Sequence, residues 1–219
     1  MKIQKIVSGV TLSLTLLYMV FLGGEGVIVN ADTATSTSAA AINDVVTLTV
    51  STEISLTCPT SVSLGTISGL TGGTASNTSD CNVKTNAALG YNLTVNATNT
   101  PAMISDSNDI SDYSTTTPQF TWAIPSTASS SFGFAVSSTD AVAAFKNDGS
   151  ACGAGTTSTY ANCFRAFSGA SAIPVASKAS ATTATGVTTT LNFKTEIGST
   201  RVQPSGTYTA TVVITANAQ

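Results

Sequence analysis

The chain has 219 residues, of which 42% are hydrophobic and only 9% charged, with a net charge of −3 and no histidine. Without histidine, Ser-His-Asp and Cys-His catalytic arrangements are excluded. The low, acidic charge argues against nucleic acid or an anionic membrane as partner, since both select basic patches.

The N-terminus has the form of an export signal. Lys2 and Lys5 precede an apolar run from Ile6 to about Gly23, and Val29-Asn30-Ala31 supplies the small residues a signal peptidase needs. Residues 1–31 are therefore expected to be a signal peptide, with cleavage after Ala31. The competing reading is an uncleaved membrane anchor, as the run is near the lower length of a span. Removing Lys2, Lys5 and Glu25 leaves six basic and ten acidic residues, a net of −4. No second apolar run is long enough to span a bilayer, so no membrane span is expected after cleavage.

Residues 32–43 are small and polar and read as a flexible leader. The domain proper is expected over 44–219. Its first strand is expected at 45–50, where Val46, Leu48 and Val50 alternate with Thr47, Thr49 and Ser51. Such alternation gives one inward and one outward face, as a half-buried antiparallel strand requires. Apolar content continues through Ile54 and Leu56 to Cys58, and Pro59 ends it. Residues 61–67 read as a short strand and 69–79 as turn material. Strands follow at 81–85 and 89–97, the latter with Tyr91, Leu93 and Val95 on one face.

Asp106, Asn108, Asp109 and Asp112 form the one carboxylate-rich cluster. Oxygen ligands of this kind suit calcium, but Ile110 and Ser111 stand where a D-x-D-x-D-G loop needs a ligand and a glycine. A solvated acidic turn is the competing reading, and no metal or cofactor is expected. Residues 119–124 and 131–137 read as strands. Their rings, Phe120, Trp122, Phe132 and Phe134, are candidates for a ligand- or glycan-binding groove, set against the commoner fate of core packing. A short helix or turn is expected over 141–145 and an exposed low-complexity loop over 176–186. Strands are expected at 189–197 and 207–215, the last with Tyr208, Ala210, Val212 and Ile214 on one face. In all, about 8–10 short strands separated by turn residues indicate an all-β antiparallel sandwich.

The four cysteines, Cys58, Cys81, Cys152 and Cys163, are even in number and follow an export signal, so they read as disulfides. Of three possible connectivities, the local pairing Cys58–Cys81 and Cys152–Cys163 is expected. There is no C-x-x-C and no histidine for a metal site. No local signature marks a catalytic pair of acids or a phosphate loop, and no catalytic activity is expected.

The stretches Cys58-Pro-Thr-Ser-Val-Ser-Leu-Gly-Thr, Cys81, Gly90-Tyr91-Asn-Leu and Gly206-Thr-Tyr-Thr-Ala-Thr-Val resemble bacterial surface β-sandwich domains. Two groups share such motifs: the spore-coat-U-like and fimbrial pilin domains, and the WxL-type cell-wall-binding domains. The resemblance spans 45–218. It implies an immunoglobulin-like sandwich in an exported structural or adhesive subunit, pilus-like or coat-like, that associates with itself or with other surface proteins. In this chain Trp122 is followed by Ala123 and Ile124, so the W-x-L motif is missing and no cell-wall-binding residues carry over. The alternative is a monomeric extracellular module that binds glycan, cell wall or a host surface. For the self-associating reading, the apolar stretch 45–50 is the segment expected to insert into a neighbour's sheet edge.

Overall fold

The computed structural model describes residues 45–167 and 169–219, so the expected signal peptide and leader lie outside the described residues. The chain divides into a unit ending at Val50 and a compact unit from Ser51 to Gln219. In the first unit, residues 45–50 form no strand, and Val45, Val46, Leu48 and Val50 are all exposed. The strand expected there is thus absent: alternation supplies a face to bury, but a strand also needs a neighbour to bond with.

The second unit is all-β. Its strands are β1 (Ile54–Thr57), β2 (Gly73–Thr85), β3 (Tyr91–Ala97), β4 (Met103–Ser105), β5 (Asn108–Ile110), β6 (Ser130–Ser137), β7 (Ile173–Lys178), β8 (Val187–Ile197) and β9 (Val212–Ala218). A single 3-10 turn, Ala143–Phe145, falls where a short helix or turn was expected. Among the described residues no helix is long and apolar enough to cross a membrane.

The strands form a four-stranded sheet in the order β1-β2-β8-β6, a three-stranded sheet β7-β3-β9, and the small hairpin β4-β5. All pairings within these sheets are antiparallel. One core lies between the two larger sheets. Tyr91, Leu93 and Val95 of β3 enter it from one side, and Val83, Phe134, Val136 and Leu191 from the other, all fully buried. Strict alternation in β3 achieves this: Asn92, Thr94 and Asn96 face away and are less covered.

Strand β6 is buried on both faces over most of its length. Phe132, Phe134 and Val136 point into the core, while the intervening Ser131, Gly133 and Ala135 are small enough for another segment to lie over them. Residues 163–166 do so, with Phe134 and Arg165 exchanging backbone hydrogen bonds at 3.0 and 2.9 Å. Gly133 is required for this approach: a Cβ there would meet the Arg165 carbonyl oxygen at 2.7 Å and Tyr113 Cβ at 2.8 Å.

Three further expectations differ. Residues 73–79 are strand rather than turn, because β2 runs the whole length of β8 from Gly73↔Ile197 to Val83↔Val187. Residues 61–67 and 119–124 are irregular; they are held by isolated ties such as Asn77 Nδ2 to the Ser63 carbonyl at 2.9 Å and the reciprocal backbone bonds between Gln119 and Phe164 at 2.8 and 2.9 Å. Strand β7 replaces the start of the expected 176–186 loop, with Pro174 tolerated because β7 is an edge.

Candidate functional site

The two disulfides have the expected connectivity. Cys58–Cys81 ties the end of β1 to β2, and Cys152–Cys163 closes the loop ahead of the segment that covers β6. No cysteine is free.

The acidic cluster does not gather into a cage. Asp106 sits exposed at the tip of the β4-β5 hairpin in a left-handed conformation, φ 50°, and Asn108 and Asp109 lie in β5. Asp112 is engaged by the backbone: its Oδ1 accepts the Ala102 N–H at 2.9 Å. Burial pushes its carboxyl above the ordinary value, partly offset by that hydrogen bond, with the nearby Asp109 charge also raising it. Among the described residues no three His, Cys, Asp or Glu side chains converge as metal ligands.

The four aromatic candidates do not form a shared groove. Phe132 and Phe134 are in the core, where Phe134 packs on Phe145 and Phe167 at centroid distances of 5.7 and 4.6 Å. Phe120 is half-buried against the same core. Trp122 lies on the opposite, outer face of the larger sheet. Its indole stacks on Tyr113 at 4.4 Å, meets the edge of Phe164 at 5.2 Å, and donates to Glu196 Oε2 at 2.7 Å. Lys194 Nζ sits 5.1 Å from its ring centroid. Burial lowers the Lys194 pKa, with the Glu196 charge opposing. Phe132 and Phe134 share a face through the two-residue period of β6, whereas 119–124 is not a strand, so that period does not hold Phe120 and Trp122 to one side. Trp122 is a packed residue with its ring and N–H already engaged.

The feature that stands apart is one flank of the sandwich. Of the edge strands, β6 is covered by residues 111–113 and 165, and β7 by residues 140–142. Strand β9 is the outer strand of its sheet, and among the described residues 212–218 no strand bonds to its outward side. Backbone bonds from Thr98 N to Thr211 O and from Gln219 N to Gly90 O fix the phase of the β3-β9 ladder. Hydrogen-bonded pairs alternate along an antiparallel ladder. Residues 213, 215 and 217 therefore bond to β3, and the N–H and C=O groups of Val212, Ile214, Ala216 and Ala218 point to the open edge.

The side chains tell the same story. Tyr91, Leu93 and Val95 on β3 are 0% exposed, yet their cross-strand partners on β9 remain partly open, as do Ile54 and Leu56 on β1. Strand β1 is the nearest element across this flank. β9 carries no charge and no proline, the devices that normally blunt an exposed edge. The chain joins the sheet beside this flank through Asn86, whose side chain accepts from Glu53 N and donates to Ser51 O, each at 2.7 Å. The sequence marks 207–215 as a strand with an inward face, but the structure has strand only over Val212–Ala218, with Thr209 in an isolated bridge to Ile104, and one strand's sequence does not say which neighbours it has.

No protein family, no curated protein and no solved structure matches this chain.

Proposed function

We propose that this chain is an exported bacterial cell-surface structural protein with an immunoglobulin-like sandwich, a pilus-like or coat subunit that associates with copies of itself and is not catalytic. The observation that carries this reading is the segment 45–50. Val46, Leu48 and Val50 are 91%, 85% and 74% exposed, a concentration of apolar side chains of the kind that marks an interaction site. Two local disulfides fit an oxidising compartment outside the cytoplasm, in line with the signal-like N-terminus.

Deleting residues 32–50 tests the reading. The full chain is expected to form polymers and the deletion variant to form none, while the remaining domain stays a folded monomer by circular dichroism and light scattering. Polymers unchanged by the deletion would overturn it. N-terminal sequencing of the exported protein should begin at Asp32.

A further inference from the structure

We propose that β9 pairs with β9 of a second copy: the two open edges run antiparallel about a two-fold axis at Thr215, joining the smaller sheets into one continuous sheet, β7-β3-β9-β9-β3-β7. The contact uses no residue of 45–50, so it goes beyond the reading above and stands or falls apart from it.

Three observations converge on it. The first is the phase of the edge. The backbone groups of Val212, Ile214, Ala216 and Ala218 point outward, and no bond among the described residues uses them. In the antiparallel register that overlaps the whole strand, Val212 lies opposite Ala218 of the other copy and Ile214 opposite Ala216. Every outward position then meets another outward position, and both copies satisfy all these donors and acceptors at once. The second is the order of the side chains. Along the inward face β9 runs from large to small: Val212 and Ile214, then Ala216 and Ala218. Antiparallel pairing sets each large side chain against a small one. On the other face Thr215 meets its own copy across the axis, and cross-strand Thr–Thr pairs are favourable.

The third observation is what the edge lacks. β9 has no charge and no proline, so a second copy sets no like charges opposite each other and removes no donor. Edges β6 and β7 cannot pair this way, because residues 111–113 and 165 overlie the first and 140–142 the second. Both copies use the same patch, so the contact is isologous and closes as a dimer. One seven-residue edge buries less than the roughly 1,200 Å² of a standard interface. The pairing is therefore of low affinity: it fills as copies crowd together, and dilute protein lacking 32–50 stays monomeric in light scattering. In an assembly held by another surface it ties neighbouring copies side by side.

Cysteine trapping in the full chain reads the register, since the native cysteines are all paired. Val213, Thr215 and Asn217 are exposed, so single cysteines there leave the core intact. Under mild oxidation of concentrated protein, Thr215→Cys alone should give a covalent dimer, because the two-fold axis sets the pair directly opposite, within disulfide reach. Val213→Cys alone and Asn217→Cys alone should not, since each lies four residues, about 13 Å, from its own copy. Mixing those two variants should restore the dimer, which keeps the test open if Thr215→Cys folds poorly. The dimer from Thr215→Cys and from the mixture is expected about tenfold or more above either of the other single variants. Equal trapping by all three single variants overturns the pairing, and so does trapping by none, the mixture included. Protection of the Ile214 and Ala216 amides from hydrogen exchange without a Thr215→Cys dimer also overturns it, since another segment then covers the edge. Loss of polymers on deleting 32–50 bears on that segment and leaves this pairing to the cysteine test.

Discussion

The Tyr91 hydroxyl donates to the Asp140 carboxylate at 3.1 Å, and Lys178 Nζ lies 3.6 Å from the other oxygen of the same group. Tyr91 belongs to β3 and Lys178 ends β7, so the trio fastens the loop before the 3-10 turn to one end of the smaller sheet. Burial of Tyr91, with the negative charge of Asp140 and the hydrogen bond to it, raises the phenol pKa above its ordinary 10.0. The unfolded chain releases this proton near pH 10 while the folded chain keeps it. The contribution is therefore intact below pH 10 and is lost as pH rises towards the folded value, at up to about 1.4 kcal/mol per pH unit. Tyr91→Phe is expected to cost about 1–2 kcal/mol at pH 7 and to flatten this alkaline decline. Thermal melts of both proteins between pH 8 and 11.5 check it; parallel curves would refute the assignment.

Gly133→Ala tests how the outer face of β6 is covered. The new methyl would press on the Arg165 carbonyl and on Tyr113 Cβ, both tied into the cluster around Trp122. Overpacking of this kind costs about 1–3 kcal/mol. Trp122 is the chain's one tryptophan, so its emission reports on this cluster alone. A red shift with a lowered midpoint is expected, and no change in either would show that the covering segment yields without strain.

The disulfides enclose separations of 23 and 11 residues. On the chain-entropy account each contributes about 3 kcal/mol, the longer loop slightly more. Cys58→Ser/Cys81→Ser and Cys152→Ser/Cys163→Ser are each expected to lower stability by that order in urea titrations. The first pair frees β1 from β2 beside the open flank, so it should weaken self-association as well. The second pair should leave association intact, because its loop lies against β6 on the far side of the larger sheet.

What could be read from the sequence follows from how local each signal is. Strand β3, strand β8 and the core face of β6 were legible because alternation of large apolar residues is a property of the strand alone. The disulfide pairing was legible because each bridge is short. Strand β2 was hidden by Gly-Thr-Ala-Ser-Asn-Thr-Ser, which reads as a turn until β8 supplies a partner along its whole length. Segment 45–50 failed the opposite way: its pattern is that of a strand, but the described chain gives it no ladder. Trp122 was grouped with Phe132 and Phe134 by residue type, and only tertiary structure separates the outer face from the core. The open edge of β9 was illegible because edge position belongs to topology, not to any one strand.

Leu48→Ala tests the apolar segment that carries the self-association reading. Leu48 is exposed in the single chain, so burial against another copy would be new. A buried leucine side chain is worth about 1.5–3 kcal/mol, and each 1.4 kcal/mol is tenfold in affinity. Truncation to alanine removes most of that and should raise the association midpoint about tenfold or more in sedimentation, while the melting temperature of the monomer stays that of the parent. An unchanged midpoint would show that the segment is not buried between copies.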